Sequence, residues 1–539
     1  MRPATVNSRR VNDPIPALSN NIGIAGAAGF GVGICPSLPA GFTPLAGYTD
    51  PTSANYGNYV YADGSVMCWV PKYYYKYGTG ANGLPVNWPD IQPASAYANA
   101  ATANAAGYAL HRAFIDGGVE KAGFFIDKYP NSKNAWGAGY IGSSIKNGLP
   151  LSTHPDHNPM YSAVPGVGLT ACAANNYSEA INAAHARDGV DGAINVASNF
   201  HVASRFQYAA LALLSLAHGL AAKGEAWCAW YDWTGAKNYP KGCNNNALRD
   251  VDDTTVVYLA DGYSNCGQAG SGYPFAKTTH NGQECGIADL NGLMYEISLG
   301  MTCIAASKTI ASATKANPCV LEVTGHGRST GDVIMITGVV GMTQLNDKLY
   351  TITLDGVDPD NKFSLDGVNS SAYSDFVSGA NSVTNSAFYA AKEATAMKDF
   401  TAGNTLPTDH WGAAGVAAMM DAFSPVFVTT GGGEFSQRYG NAFSQVLSAA
   451  VSGAAWLLAG LGLPFAATGL STGGADLFGK DYFYQQVRPE LCPISCGTWS
   501  DASYAGVWCL RWSHTRPSST STVGWRAAVW LQRRHQTPA

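Results

Sequence analysis

Residues 497–530 read GTWSDASYAGVWCLRWSHTRPSSTSTVGWRAAVW, a stretch that collects side chains suited to recognition. Trp499, Trp508, Trp512, Trp525 and Trp530 lie here with Arg511, Arg516, Arg526, His514 and a Ser/Thr run, and Asp501 is the only carboxylate. Tryptophan offers a rigid face, arginine a bidentate fork, and Ser and Thr adaptable polar contacts. Alternation through VWCLRW puts Trp508, Leu510 and Trp512 on one face and Cys509 and Arg511 on the other, so one of the two faces must be core.

Other spacings that could do chemistry fall short of it. THPDHNP (153–159) sets His154 and His157 around Asp156, in a Pro-bounded loop without a third ligand. RDVDD (249–253) clusters aspartates but has no calcium-loop pattern, so a solvated turn is expected. GLSTG (469–473) has the nucleophile spacing around Ser471 without a strand-turn-helix pattern. GADLFGKD (474–481) begins like a phosphate loop, then puts Asp481 where Ser or Thr should hold magnesium. Carboxylates are too scattered to nominate a hydrolytic pair. No CxxC occurs, and Cys492-x3-Cys496 has no second pair nearby. The cysteines are expected as buried free thiols with one or two bridges at most. No catalytic residue, metal or cofactor is expected.

These groups sit in an unusual background. Charged residues make up 13% of the 539 residues, glycine is abundant at 61, and the net charge of −5 gives no general attraction to nucleic acid. Such a surface suits a rigid extracellular or particle-borne protein. From Ala502 to Ala539 the chain carries five arginines and no Asp or Glu, a local basic tail. The N-terminal MRPATVNSRRVNDPIPALSN lacks the apolar core of a secretion signal. From Tyr439 to Ala475 no residue is charged, yet Ser448, Ser452, glycines and Pro464 interrupt the run and no basic flank borders it. A buried segment or a contact between subunits is expected there, not a membrane span.

The elements that must position the C-terminal stretch follow from pattern. MCWVPKYYYKYG (67–78) alternates like a strand, and residues 111–132 read as two strands about the Gly117-Gly118 turn. Helices are expected at about 178–187 and over 203–221. Residues 284–301 read as a turn and then a strand. Residues 305–385 hold short β-branched runs split by Gly, Asn and Asp, a small all-β module.

Several segments, in order, resemble the formylglycine-generating-enzyme (sulfatase-modifying factor) branch of the C-type lectin fold. AGFFIDKYPNSKNAW resembles its opening strand, and FHVASRFQYAALAL its helix motif. GIADLNGLMYEIS is similar to G-L-Y-D-M-x-G-N-V-W-E-W, and CGTWSD…GWRAAV to R-G-G-S-W…G-F-R. The likeness covers about 60–304 and 386–532. VPKYYYKYG…HRAFIDGGVEKAGFFIDKY looks like the version in bacteriophage tail proteins. HGRSTGDVIMITGVVGMTQLN resembles a small β-domain that such proteins share with the ubiquitin-activating enzyme. The family's enzymes place two catalytic cysteines shortly after G-S-W. Here Trp499 is followed by Ser500, Asp501, Ala502, Ser503, Tyr504, Ala505 and Gly506, with Cys509 too far along. Thiol oxidation is therefore not expected.

The resemblance implies an α+β, C-type lectin-like domain interrupted by a small all-β domain. The expected parts are an irregular attachment segment (1–58), the first part of the lectin-like domain (59–304), the inserted β-domain (305–385), and the second part with the receptor surface (386–539). It implies a non-enzymatic tail fibre or tip adhesin on a virion, assembled in the host cytoplasm and acting as a homotrimer among other tail proteins. Its partner would be a bacterial glycan or outer-membrane component, with neither nucleic acid nor membrane insertion involved. Trp508, Arg511, Trp512, His514, Thr515, Arg516 and Ser518 are the expected receptor contacts. Trp525 and Arg526 fill the G-F-R place and are expected in the core. The alternatives are a formylglycine-type enzyme with displaced cysteines, and a structural tail or baseplate component.

Overall fold

The computed structural model describes residues 20–84, 88–136, 139–154, 177–189, 200–225, 228–230, 245–262, 266–346, 348–400, 418–425, 434–439, 448–466, 470–471, 481–486, 491–516 and 518–530. Across them the fold is mixed α and β, with strands predominating and few helices.

Two sheets carry most of the main body. The first runs Phe42–Pro44, Asn58–Tyr61, Val66–Pro71, Gly123–Asp127, Ala527–Trp530, His201–Val202, each neighbour antiparallel. Met67, Cys68, Trp69, Val70 and Phe124, Phe125, Ile126 are all buried, so this sheet is covered on both faces. The second runs Leu470–Ser471, Glu434–Tyr439, Tyr482–Gln486, Leu510–Thr515, Leu491–Ser495, Tyr295–Ile297, Val523–Gly524. The first sheet joins strands from opposite ends of the sequence, the second joins a mid-chain strand to the C-terminal part, and one apolar core extends from Ile22 to Trp530.

The helix Arg205–Ala221 lies where the Leu, Ala and aromatic spacing puts it. Ser204 starts it: its hydroxyl accepts from the Gln207 N–H, and the Gln207 amide accepts from the Ser204 N–H. Every residue from Arg205 to Gly219 is buried, as an all-round apolar helix requires. The second expected helix is Tyr177–His185. Gly117 and Gly118, at φ 60° and 71°, form the tight turn between Ile115–Asp116 and Val119–Glu120.

The inserted module has its own core of Ile310, Cys319, Leu321, Val323, Ile334, Ile336, Ile352, Phe363 and Leu365 among others. Met301–Ile310 and Gly379–Ala391 pair in register from Met301↔Ala390 to Ile310↔Gly379, with a bulge between Lys308 and Ile310. Ala305 is thus the direct partner of Ser386, and the two ends of the module lie side by side.

One expectation needs correction. Residues 20–58 are not a segment apart from the core. Ile22, Phe30 and Val32 are fully buried, Phe42–Pro44 enters the first sheet, and Asn281 Nδ2 donates to Phe30 O at 2.8 Å. Glycines let this irregular chain approach closely: a Cβ on Gly33 would stand 2.5 Å from Asn21 O. Residues 1–19 lie outside the described residues. The charge-free stretch, expected as a buried segment or a contact between subunits, packs partly into the core where described, while Ser452, Gly453 and Ala454 are exposed. Its helix Gly453–Gly460 buries Trp456 and Leu458, Leu461 and Leu463 are buried, and Trp456 Nε1 donates to Leu110 O. Among the described residues no helix is long and apolar enough to cross a membrane.

Candidate functional site

The second sheet builds the candidate site. Leu510–Thr515 pairs in parallel with Tyr482–Gln486, so that Phe483 faces Leu510, Tyr484 faces Arg511 and Gln485 faces Trp512. Directly paired residues point to the same side of a sheet. Phe483, Leu510 and Trp512 therefore go to the core, and Tyr482, Tyr484, Arg511 and Ser513 to the opposite face.

Trp512 settles which face is core. Its ring stacks on Phe423 at 6.2 Å and tilts against Phe388 at 5.2 Å, and it is fully buried. Trp508 and Arg516 are fully buried as well. The expectation that Trp508, Trp512 and Arg516 are exposed contacts is therefore corrected: side chains without accessible surface hold the fold. Arg511, His514, Thr515 and Ser518 remain partly exposed.

Arg511 is the centre of an aromatic cluster. Its guanidinium carbon lies 5.2 Å from the Tyr484 ring and 5.8 Å from the Tyr295 ring, and its Nε donates to Ser513 Oγ at 3.0 Å. Tyr482 stacks on Tyr484 with centroids 5.5 Å apart and meets Tyr504 at 5.4 Å. Tyr504 is 39% exposed and brings the cluster to the surface. Burial opposes the charged form of Arg511, but Tyr295, Asp501 and Tyr482 outweigh it and hold its pKa above the ordinary value. Burial raises the Asp501 carboxyl, while the Thr498 N–H and Arg511 pull it down. Tyr295 and Tyr484 are buried and brace Arg511, so Arg511, Asp501, Tyr482 and Tyr504 are the groups left with surface to hydrogen-bond hydroxyls and stack against an apolar ring face.

The Ser/Thr run forms a pinned turn beside this face. Thr515 N donates to Ser518 Oγ, Ser519 Oγ to Thr153 O, and Thr520 N to Thr153 Oγ1. A cavity of ≈ 10 Å³, room for one water, lies beneath it among Tyr177, His514, Arg516, Ser518 and Thr520. Tyr482, Tyr484, Tyr504 and Tyr295 were not singled out from sequence, and Asp501 only as the lone carboxylate of its stretch. The i, i+2 pair of tyrosines in DYFYQQ was the available signal for two of them.

Around the site, the core is stitched by buried charges. Arg526 Nη2 donates to Glu296 Oε1 at 2.6 Å and to Ala288 O at 2.9 Å, and Tyr208 donates to Glu296 Oε2. Trp525 is 2% exposed, so both G-F-R residues are core, as expected. Arg187 pairs with Asp63 at 2.6 Å and Asp127 at 2.9 Å.

No known family profile and no curated protein matches the chain.

The weaker motifs resolve in the same terms. RDVDD is a turn: Asp250 Oδ1 accepts from the Asp252 and Asp253 N–H groups, and Asp253 pairs with Lys277. Asp481 is fully buried and accepts from Trp508 N at 2.9 Å, so it anchors the Trp508 turn. Among the described residues no group of three or more His, Cys, Asp or Glu could hold a metal. His157 and Asp156, most of GADLFGKD, and the residues flanking Leu470–Ser471 in GLSTG lie outside the described residues. The ten described cysteines are buried, Cys509 among them.

Proposed function

We propose that the chain is a receptor-binding protein of a bacteriophage tail, with a C-type lectin-like scaffold that presents the Arg511 cluster to a glycan on the bacterial surface. The observation that carries this reading is the placement of Arg511 between Tyr484 and Tyr295, with Tyr482 and exposed Tyr504 adjoining it. Stacking phenols and an arginine fork are the groups by which a protein grips a sugar without a metal. The nearby Asp501 offsets the arginine charge, which favours a hydroxyl-rich sugar over a polyanion. In this reading the chain works as a homotrimer on the virion, beside other tail proteins.

The test is adsorption. Purified protein is incubated with candidate host cells and with an array of bacterial glycans, and Arg511→Ala and Tyr504→Ala are compared with the parent. Binding by the parent that both variants lose supports the reading. Equal binding by all three places the receptor surface elsewhere. Binding only to other virion proteins makes the chain a structural tail component.

A further inference from the structure

The inserted module contains a buried cation that the fold itself does not use. Between Cys319–Glu322 and Val333–Ile336 the chain reads TGHGRSTGD (324–332). Gly325, Gly327 and Gly331 take φ of 56°, 63° and 94°, and a Cβ at any of them would meet nothing within 4 Å. The loop is therefore loosely packed on its outer side. Beneath it Arg328 is 5% exposed, and its Nε, Nη1 and Nη2 are buried with no hydrogen-bond partner among the described residues. Arg187, Arg205 and Arg526 contrast with it, since each spends its donors on carboxylates or carbonyls.

The surroundings of Arg328 fit a ligand better than a mere packing role. Its guanidinium carbon lies 5.8 Å from the Phe363 ring, and the His326 ring meets Phe363 edge-on at 5.1 Å. His326 Nδ1 accepts from the Arg328 backbone N–H at 3.1 Å, and burial, then Arg328 itself, lowers the pKa of the imidazole. Asp332 is the carboxylate that favours the arginine cation, but its Oδ2 accepts from Ser329 N and it makes no ion pair with Arg328. Burial, partly offset by Asp332, pulls the Arg328 pKa down to about 10, so the side chain is still charged at neutral pH. A buried guanidinium without partners is costly, and its planar fork matches an oxyanion.

We propose that the 324–332 loop is an oxyanion site in which Arg328 binds a carboxylate or phosphate group bidentately once the glycine-rich strap moves aside. The module would then be a second binding unit, separate from the Arg511 face and independent of how that face is used.

The test is calorimetric titration of the full chain with sodium phosphate and with sodium acetate, each against chloride at matched ionic strength. The parent should show saturable one-site binding of at least one of the two anions, and which one distinguishes the two sources. Arg328→Met should abolish it while the module keeps its amide protection in hydrogen exchange. If Arg328→Met disturbs the module, Arg328→Lys supplies the second reading: it keeps the charge, loses the fork, and should bind at least tenfold more weakly. No anion-specific heat in the parent, or heat unchanged in a folded Arg328 variant, overturns the proposal.

Discussion

Arg526 and Glu296, 230 residues apart in sequence, form a fully buried ion pair that ties the last described strand to the strand Tyr295–Ile297. Tyr208 donates to the same carboxylate from the long helix, so three separate segments meet at one charge pair. Removing one partner of such a pair strands the other in a dry interior, which typically costs about 3–5 kcal/mol. Arg526→Met and Glu296→Gln are each expected to lose that much in urea unfolding. The double variant should lose less than the sum, because neither charge is left behind.

The two faces of Leu510–Thr515 should separate binding from stability. Trp512→Ala is expected to cost about 3–5 kcal/mol of stability through the cavity it leaves. Tyr504→Ala, at the exposed rim, should change stability by about 0.5 kcal/mol. If the cluster binds a receptor, the same Tyr504 change should weaken adsorption roughly tenfold or more. Thermal unfolding and a cell-binding isotherm on the same preparations measure both.

The inserted module should be removable. Ala305 pairs with Ser386, and the module's core is separate from the main one. A short Gly/Ser turn joining Ser307 to Thr384, themselves a register pair, should leave the main body folded. Circular dichroism of the shortened chain should show one cooperative transition. Loss of cooperativity would make the module part of the main core.

Asp250 gives the stability a pH dependence. Burial raises its carboxyl to about 7, while the Asp253 and Asp252 N–H groups work against that rise. The folded state therefore holds its proton more tightly than the unfolded chain does. That contribution is complete below about pH 4 and disappears as pH rises through about 7. Asp250→Asn retains an oxygen for the two N–H donors and cannot ionise. It should match the parent near pH 4 and exceed it by on the order of 1–2 kcal/mol at pH 8. Parallel curves for the two proteins across that range would refute the assignment.

Much of the fold was legible because its signals are local. The capping residues Ser204 and Gln207, the apolar helix behind them, and the Gly117-Gly118 turn each declare themselves within a few residues. The β-rich module stood out by its turn residues and β-branched runs. Residues 20–58 misled because glycine-rich chain without periodicity reads as loose, although Phe30 and Val32 are fully buried. In the site, alternation showed that Trp512 and Arg511 must face opposite ways, but not which way was inward. That was decided by Phe388 and Phe423, which lie about a hundred positions earlier in the chain and are brought there only by strand pairing. The tyrosines flanking Arg511 come from three further segments, so no single window of sequence contains the cluster.

The position of Ala527–Trp530 in the first sheet has a consequence for biosynthesis. This strand fills the slot between Gly123–Asp127 and His201–Val202, and its Trp530 indole donates to Ala113 O. A ribosome delivers residues 123–127 and 201–202 hundreds of codons before the strand that joins them exists. Until then both present open hydrogen-bonding edges and apolar faces, the state in which chains aggregate or recruit chaperones. The first sheet therefore cannot be completed until residues 527–530 have been made and released from the ribosome, and a stop codon shortly before that point would yield a chain holding most of its residues but lacking the strand that completes this sheet.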